Sequence, residues 1–293
     1  MTEQKTPVQS TVRKIIMFPL VRAIIAIVMV VVATMVIGNI LKWVGSSLFG
    51  ETPPELWRLL ANIIVVIFAC LSYSAFVIYI ERRKESELAL DGALKETGLG
   101  VAIGAGLIAA VVGIIWVAGS YQVHSVNDLQ ALIKPFYTSL SAGVIEEIIF
   151  RAIIFRIMQE SLGSWIAIAF SALFFGFGHA ANPNATLFSS IAIALEAGIL
   201  LAAAFMFTRR LWMVIGIHFA WNFTQGGIFG VAVSGHEITG LLQSEMSGPE
   251  LVTGGAFGAE ASIFALIICT GTGLYMLWKA WERGHFIKPF WLR

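Results

Sequence analysis

Long apolar runs follow one another along this chain, and they constrain its fold more than any other feature. A run of about 17–25 mainly apolar residues is long enough to cross a bilayer as a helix. Of the 293 residues, 58% are hydrophobic and only 13% are charged, which is typical of a membrane protein. We therefore predict an all-α, polytopic membrane protein with about eight transmembrane helices. The predicted spans are 23–41, 59–80, 99–120, 137–158, 165–181, 186–208, 211–229 and 261–281.

Lysine and arginine are distributed unevenly between the two faces of these spans. Fifteen of the nineteen fall on the face that holds both termini, and Arg151 falls inside a span. Only Lys42, Arg58 and Lys134 fall on the other face. Because cytoplasmic loops carry the excess of basic residues, both termini are predicted to be cytoplasmic. The predicted organisation is a cytoplasmic segment 1–22, one transmembrane domain 23–283 with its functional core at about 137–229, and a cytoplasmic tail 284–293.

Several other features narrow the possible classes of protein. The net charge of +1 without a basic tract argues against a nucleic-acid partner. Cys70 and Cys269 lie in apolar stretches, so we expect free packing thiols and no disulfide framework or zinc ribbon. No small-residue cleavage site follows the first apolar run, so we expect an uncleaved first span and a mature protein that begins near Met1. We expect 230–260 to be an external loop, in part re-entrant, and favour a flexible surface loop over a lid. We expect 82–96 to be a solvated or interfacial helix.

Charged side chains inside a span are costly, and the fourth predicted span contains three of them. Glu147 and Arg151 are four residues apart, so they lie on one helical face, where they are predicted to form a desolvated ion pair. Glu146 points about 100° away from that face and is left without a partner. An unpaired buried carboxylate is typical of a general acid or base. The alternative is that all three residues only hold helices together.

Polar residues in two further spans favour chemistry over packing. His179 ends the sequence Phe175-Gly-Phe-Gly-His on the fifth predicted span, and His218 and Asn222 are four residues apart on the seventh. A carboxylate, two imidazoles and a carboxamide suit acyl-bond hydrolysis, since water must be deprotonated and an oxyanion stabilised. We expect the remaining histidines to be solvated in loops or at the terminus: His124, His236 and His285.

At these residues the sequence resembles the intramembrane proteases of the CPBP (Abi) family, which includes the type II prenyl-protein (CAAX) endopeptidases. Its Glu-Glu-x-x-x-Arg pattern matches Glu146, Glu147 and Arg151. Its Phe-x-x-x-His pattern matches Phe175 and His179, and its His-x-x-x-Asn pattern matches His218 and Asn222. The resemblance covers the fourth to the seventh span and none of the others.

The resemblance implies roles for each matched residue. Glu146 would activate water that His179 orients, His218 and Asn222 would line the oxyanion site, and Glu147 and Arg151 would be structural, as would Phe175. The family has also been regarded as metallopeptidases, and Glu146, His179 and His218 could bind Zn²⁺. Because asparagine is a poor zinc ligand and the helical His-Glu-x-x-His motif is missing, we favour a metal-independent glutamate peptidase without a cofactor.

Alternatives from other classes stay open at this point. The same buried groups could serve a transporter or channel, and relatives associated with bacteriocin self-protection allow a non-enzymatic immunity protein. For a peptidase, the expected partners are the bilayer and a peptide or protein substrate within or at the membrane. The expected location is a bacterial plasma membrane. In a eukaryote, a CAAX-processing role in the endoplasmic reticulum would lead.

Two features of the spans are left unresolved by the sequence. On the predicted limits, His179 lies near the outer end of its helix and His218 in the inner half of its own. The two could meet only if the fifth span starts later, or if helices are tilted or broken around a water-filled cavity. Glu196, a further buried acid on the sixth span, either lines this cavity or pairs with a neighbour.

Overall fold

The computed structural model describes residues 7–293, with side chains described from residue 11. The first six residues of the predicted N-terminal segment 1–22 lie outside the described residues. Helices dominate the fold, as predicted. Six helical stretches of the described chain are long and apolar enough to cross a membrane: Pro19–Phe49, Glu55–Glu81, Ala93–Val117, Ser164–Ala181, Leu187–Thr208 and Ile263–Glu282. The chain is a multi-pass membrane protein.

The N-terminal half contributes four α-helices. They are α1 (Pro7–Ile16), α2 (Pro19–Phe49), α3 (Glu55–Ala75), which continues as a π-helix Phe76–Glu81, and α4 (Ala93–Val117). Pro19 starts α2, where its missing N–H costs no hydrogen bond. The segment 82–92 is not helical, and Glu87 and Leu88 within it are buried. The prediction of a solvated or interfacial helix over 82–96 is therefore wrong for all but its last turn.

The C-terminal half contains the remaining helices, which form nearly continuous rods. One rod joins α5 (Ile133–Glu147), a π-helix Ile148–Phe155 and α6 (Arg156–Leu162). The next is α7 (Ser164–Gly178) with a 3-10 turn His179–Ala181. Another joins α8 (Leu187–Ile193), a π-helix Ala194–Gly198 and α9 (Ile199–Thr208). The others are α10 (Trp212–Asn222) with a π-helix Phe223–Ile228, the short α11 (Glu250–Thr253) and α12 (Ile263–Glu282).

The predicted fourth and seventh spans thus exist as helices, but they are not among the six apolar ones. The helix of the predicted fourth span carries several charged residues. The helix of the predicted seventh span is shorter than the six apolar helices. The total of eight spans and the cytoplasmic position of the termini stay predictions.

Two short strands were not predicted. β1 (Tyr121–Val126) and β2 (Leu242–Met246) pair antiparallel, with an irregularity between Val123 and Ser125. The sheet ties 230–260 to the segment before α5. Val231, Phe257 and Ala259 of that long connection are buried. The predicted surface loop is therefore only partly exposed, because several of its residues pack into the protein. Its flexibility stays a prediction.

Glycines bring the helices of the core into backbone contact. A side-chain carbon at Gly104 of α4 would lie 2.2 Å from the carbonyl oxygen of Ile217 in α10. A carbon at Gly176 of α7 would lie 2.3 Å from the carbonyl oxygen of Ser190 in α8. Small residues at such contacts allow close helix packing inside a membrane. These contacts fix α10, which carries His218, and α7, which His179 directly follows, within the bundle.

Candidate active site

Glu146 lies near the end of α5 and faces both predicted histidines. Its Oε2 atom is 4.0 Å from Nε2 of His179 and 4.0 Å from Nε2 of His218. That oxygen is buried and has no hydrogen-bond partner, although 31% of the side chain is exposed. Polar atoms 4.0 Å apart are too distant for a direct hydrogen bond, and one water can bridge such a gap. The carboxylate is thus placed to hold a water between two imidazoles.

The orientation of His179 is set by its own helix. Its Nδ1 lies 2.7 Å from the carbonyl oxygen of Phe175, one turn earlier. A carbonyl can only accept, so Nδ1 carries a proton and Nε2 is the nitrogen that faces Glu146. The ring also packs against Phe175 at a centroid distance of 4.8 Å. Phe175 therefore supports His179 through both its backbone and its ring.

His218 is held by Glu147. Its Nδ1 is 2.7 Å from Oε1 of Glu147. The same Oε1 accepts a hydrogen bond from Nη1 of Arg151 at 3.2 Å, and Oε2 lies 3.1 Å from Nε in an ion pair whose side chains are fully buried. The predicted Glu147–Arg151 ion pair is confirmed. The second task of Glu147, which is to orient a histidine from another helix, was missed because sequence spacing shows contacts only within one helix.

Arg151 completes the support of the site. Its guanidinium lies 4.2 Å from the centroid of the Phe175 ring and donates to the carbonyl oxygen of Ala197 at 3.3 Å. A cation over an aromatic face is attracted by the ring quadrupole. One buried arginine therefore joins α5, α7 and the π-helix that follows α8.

Two cavities meet at these side chains. An outer cavity of about 470 Å³ is lined by Glu146, His179, His218 and Asn222 together with Lys134, Thr138 and residues of 233–238. An inner cavity of about 40 Å³ shares His179, His218 and Asn222 and extends to Glu196 and Glu260. Such a volume is enough for one or more water molecules. All four predicted catalytic residues are thus brought to one cavity wall.

The two histidines meet at Glu146, although the predicted span limits placed them at different depths. The fifth span starts at Ser164 and not later, but α7 ends at Gly178 and His179 begins a 3-10 turn. The imidazole that follows α7 faces Glu146 beside the outer cavity. A later start of the fifth span is therefore excluded, and helices tilted or broken around a water-filled cavity stay a prediction.

Other polar groups have more specific contacts than the sequence indicated. Glu196 is buried, lines the inner cavity and contacts the thiol of Cys269. His236 is exposed but lines the outer cavity, and His285 donates to the carbonyl oxygen of Met206 at 2.7 Å, so neither is merely solvated. Burial raises the pKa of Glu260, in the turn before α12, to about 7. Sequence reasoning missed Glu260 altogether.

The predicted zinc alternative does not fit the described side chains as they are placed. Ligands of a tetrahedral zinc ion at about 2.1 Å lie roughly 3.4 Å apart, which is closer than the separations around Glu146. Within the described part of the chain, no cluster of three or more His, Cys, Asp and Glu side chains has the geometry of a metal site.

Comparison with known proteins supports the sequence motifs. Residues 128–224 match the Rce1-like family, described as "Type II CAAX prenyl endopeptidase Rce1-like". The predicted resemblance to the CPBP family is confirmed. The Rce1-like segment contains all the matched motif residues, from Glu146 to Asn222.

A curated relative from Bacillus subtilis (strain 168), described as "Putative membrane peptidase YdiL", is 28% identical over 120 residues. The match covers 41% of this chain and 45% of the relative. The chain therefore matches less than half the length of that protein. The comparison with solved structures found no match for this chain.

Proposed function

We propose that this protein is an intramembrane endopeptidase that hydrolyses peptide bonds of membrane-associated or lipid-modified polypeptides with a glutamate-activated water. The observation that carries the proposal is the carboxylate of Glu146, which faces two imidazole nitrogens at 4.0 Å on the wall of a cavity. The Rce1-like match supports hydrolysis of peptide bonds, without bearing on the group that activates the water.

Charge balance assigns a protonation state to His218. Its Nδ1–H is bonded to Glu147, an ionised group because it also pairs with Arg151. His218 can donate from Nε2 to an oxyanion only as an imidazolium, whose charge Glu147 and Glu146 offset. The two carboxylates, Glu146 and Glu147, then balance two cations, Arg151 and His218. The cluster has no net charge, which a low dielectric favours. His179 is then the neutral imidazole.

The reaction follows from this arrangement. A water between Glu146 and His179 gives its proton to Glu146 and attacks the scissile carbonyl carbon. The resulting oxyanion accepts hydrogen bonds from Nε2 of His218 and the amide of Asn222. The carbon–nitrogen bond then breaks, and Glu146 returns the proton to the leaving amine.

The test is cleavage of quenched peptides, prenylated members included, by protein purified in detergent. Glu146→Gln and His179→Ala are compared with wild type and with Glu245→Gln, an exposed glutamate on β2 that serves as a matched control. Cleavage by wild type and the control, with loss in both site variants, supports the peptidase. A chelator should leave the activity unchanged, and inhibition would instead favour the metallopeptidase alternative.

Two outcomes would overturn the proposal. If folded Glu146→Gln protein cleaves as fast as wild type, Glu146 does not activate water. If cells that express Glu146→Gln are protected against a bacteriocin as fully as cells that express wild type, the protein has a non-enzymatic immunity role and does not act by hydrolysis. Proton-coupled transport by wild type in vesicles, lost in the same variant, would favour the transporter alternative. The proposed location is a bacterial plasma membrane, where prenylated substrates are not expected.

A further inference from the structure

Glu260 is a buried carboxylate that the proposed reaction does not use. Only 2% of the residue is exposed. It accepts hydrogen bonds from the side-chain amide of Gln225 and from the backbone N–H of Ser234. Burying a carboxylate is costly unless hydrogen bonds compensate for the lost water. These bonds stabilise it in a place where it joins distant parts of the chain.

Hydrogen bonds connect Glu260 to residues that follow two of the proposed catalytic residues, Asn222 and His179. Gln225 follows Asn222 by one turn, and its amide also donates to the carbonyl oxygen of Ala232 at 2.6 Å. Asn182, three residues after His179, donates to the carbonyl oxygen of Ser234 at 3.0 Å. We call residues 231–238 the roof segment, because they cover the outer cavity. Glu260 thus fixes the roof segment between two parts of the chain. One contains Asn222 and Gln225, and the other contains His179 and Asn182.

We infer that Glu260 is a positioning residue, which holds the roof segment and thereby sets the spacing between Asn222 and His179 around the bound peptide. The inference rests on the proposed function, but the tie to the roof segment can be measured without it. Glu260 lines the inner cavity and is not among the residues that line the outer cavity with Glu146. Its loss should therefore slow turnover more than it weakens binding.

Two variants distinguish the loss of the Glu260 hydrogen bonds from a general loss of folding. Glu260→Leu removes both acceptor oxygens, whereas Glu260→Gln keeps one for Ser234. The new amide in Glu260→Gln can donate to Oε1 of Gln225, which is buried without a hydrogen-bond partner. Glu250→Leu, an exposed position in the same connection, is the matched control.

Hydrogen exchange of the roof segment and peptide kinetics are then measured on folded protein. We expect Glu260→Leu to speed exchange in 231–238 and to lower kcat at least tenfold, with KM changed less than threefold. Glu260→Gln should recover most of both properties, and Glu250→Leu should match wild type. Unchanged exchange in Glu260→Leu overturns the inference, as does an unchanged kcat. Faster exchange in a protein whose wild type cleaves nothing refutes the proposed function alone.

A second, independent observation concerns the direction in which the outer cavity opens. Lys134 and Thr138, at the start of α5, line it with the exposed roof residues His236 and Glu237. Arg156 lies in the same continuous rod, roughly 30 Å further along at 1.5 Å per residue. This distance is about the thickness of the hydrocarbon core. The cavity therefore opens at the end of the rod opposite Arg156.

The basic residues identify the two ends. Arg156 interacts with Glu81 and Glu160, and the adjoining segments carry the large majority of Lys and Arg. The end at which the cavity opens carries only Lys42, Arg58 and Lys134. We propose that the cavity opens on the non-cytoplasmic face, so that its substrates are exported or externally presented membrane-anchored polypeptides.

Cysteine labelling tests this orientation without any need for peptidase activity. Cys70 and Cys269 are replaced by alanine, and single cysteines are introduced as His236→Cys and Lys84→Cys, both at exposed positions at opposite ends. In intact bacterial cells, a membrane-impermeant maleimide should label His236→Cys, and Lys84→Cys should react only after permeabilisation. The reverse pattern overturns the proposal. Labelling as expected in a protein that cleaves no peptide would refute only the proposed function.

Discussion

Two buried charged clusters in this protein differ in how completely their acids are paired. The Arg156 network consists of six residues: Arg22, Glu81, Arg83, Glu87, Arg156 and Glu160. Each of its carboxylates contacts at least one guanidinium, for example Glu81 with Arg156 at 2.9 Å and Glu160 with Arg156 at 2.7 Å. In the candidate active site, Glu147 is similarly paired, but Glu146 has only two imidazoles at 4.0 Å.

The difference shows how a bundle can use the same side chains for structure and for chemistry. A carboxylate held by guanidinium groups cannot readily take a proton, because ionisation is stabilised by the neighbouring positive charges. A carboxylate on a cavity wall that makes no direct hydrogen bond to a cation can exchange protons with water. We therefore expect the Arg156 network to govern stability and Glu146 to govern turnover.

The largest expected effect is on turnover at Glu146. Glu146→Gln removes the proposed base while keeping its size, so cleavage should fall by about 10²- to 10⁴-fold, the usual contribution of general-base catalysis. Thermal unfolding in detergent should be unchanged, because Oε2 of Glu146 makes no hydrogen bond. A large loss of stability would show that Glu146 has a structural role like the carboxylates of the Arg156 network, and the two clusters would then not differ in function.

The second effect is on stability at Arg156. Arg156→Met leaves buried Glu81 without its main partner, and removing one member of a buried pair costs about 3–5 kcal/mol. Reversible unfolding in mixed detergent measures this loss. The matched control is Arg58→Met, since the Arg58–Glu55 pair is partly exposed and should contribute less than about 1 kcal/mol. Equal effects of the two variants would contradict the structural role of the network.

A smaller effect should appear in the pH dependence of stability. Burial alone would raise the pKa of Glu87, but the hydrogen bonds and charge of Arg83 and the charge of Arg156 hold it below its ordinary value of 4.5. A lowered folded-state pKa stabilises the protein above pH 4.5, and this stabilisation is lost as the pH falls through the folded-state pKa.

Glu87→Gln should therefore be less stable than wild type at neutral pH. The difference between the two proteins should shrink as the pH is lowered below 4.5. Unfolding midpoints measured across that range test the prediction. A difference that stays constant with pH would show that Glu87 acts through packing and not through its charge.

The smallest effect is expected on the exposed sheet. Glu245 pairs with His124 at 3.3 Å, and both side chains are largely exposed. Glu245→Gln should change the free energy of unfolding by less than about 0.5 kcal/mol and should leave cleavage unchanged. A marked loss of cleavage would mean that β1 and β2 take part in binding the substrate.

Local sequence patterns were sufficient for the helical elements and for contacts within one helix. The apolar runs predicted helices close to those observed, and the spacing of Glu147 and Arg151 predicted an ion pair that the structure contains at 3.1 Å. Both follow from the rise and turn of a single helix, which any stretch of sequence encodes. The strands β1 and β2 escaped prediction because they pair across more than a hundred residues.

The sequence by itself determined that this chain is a helical membrane protein with a small set of buried polar residues, because the cost of charge in a bilayer makes each such residue conspicuous. Only the tertiary structure decided which of them meet. The bond between His218 and Glu147 spans 71 residues of sequence, and Glu260 reaches Gln225 across 35. Such contacts depend on how glycine-rich faces let separate helices approach, and no local pattern records that geometry.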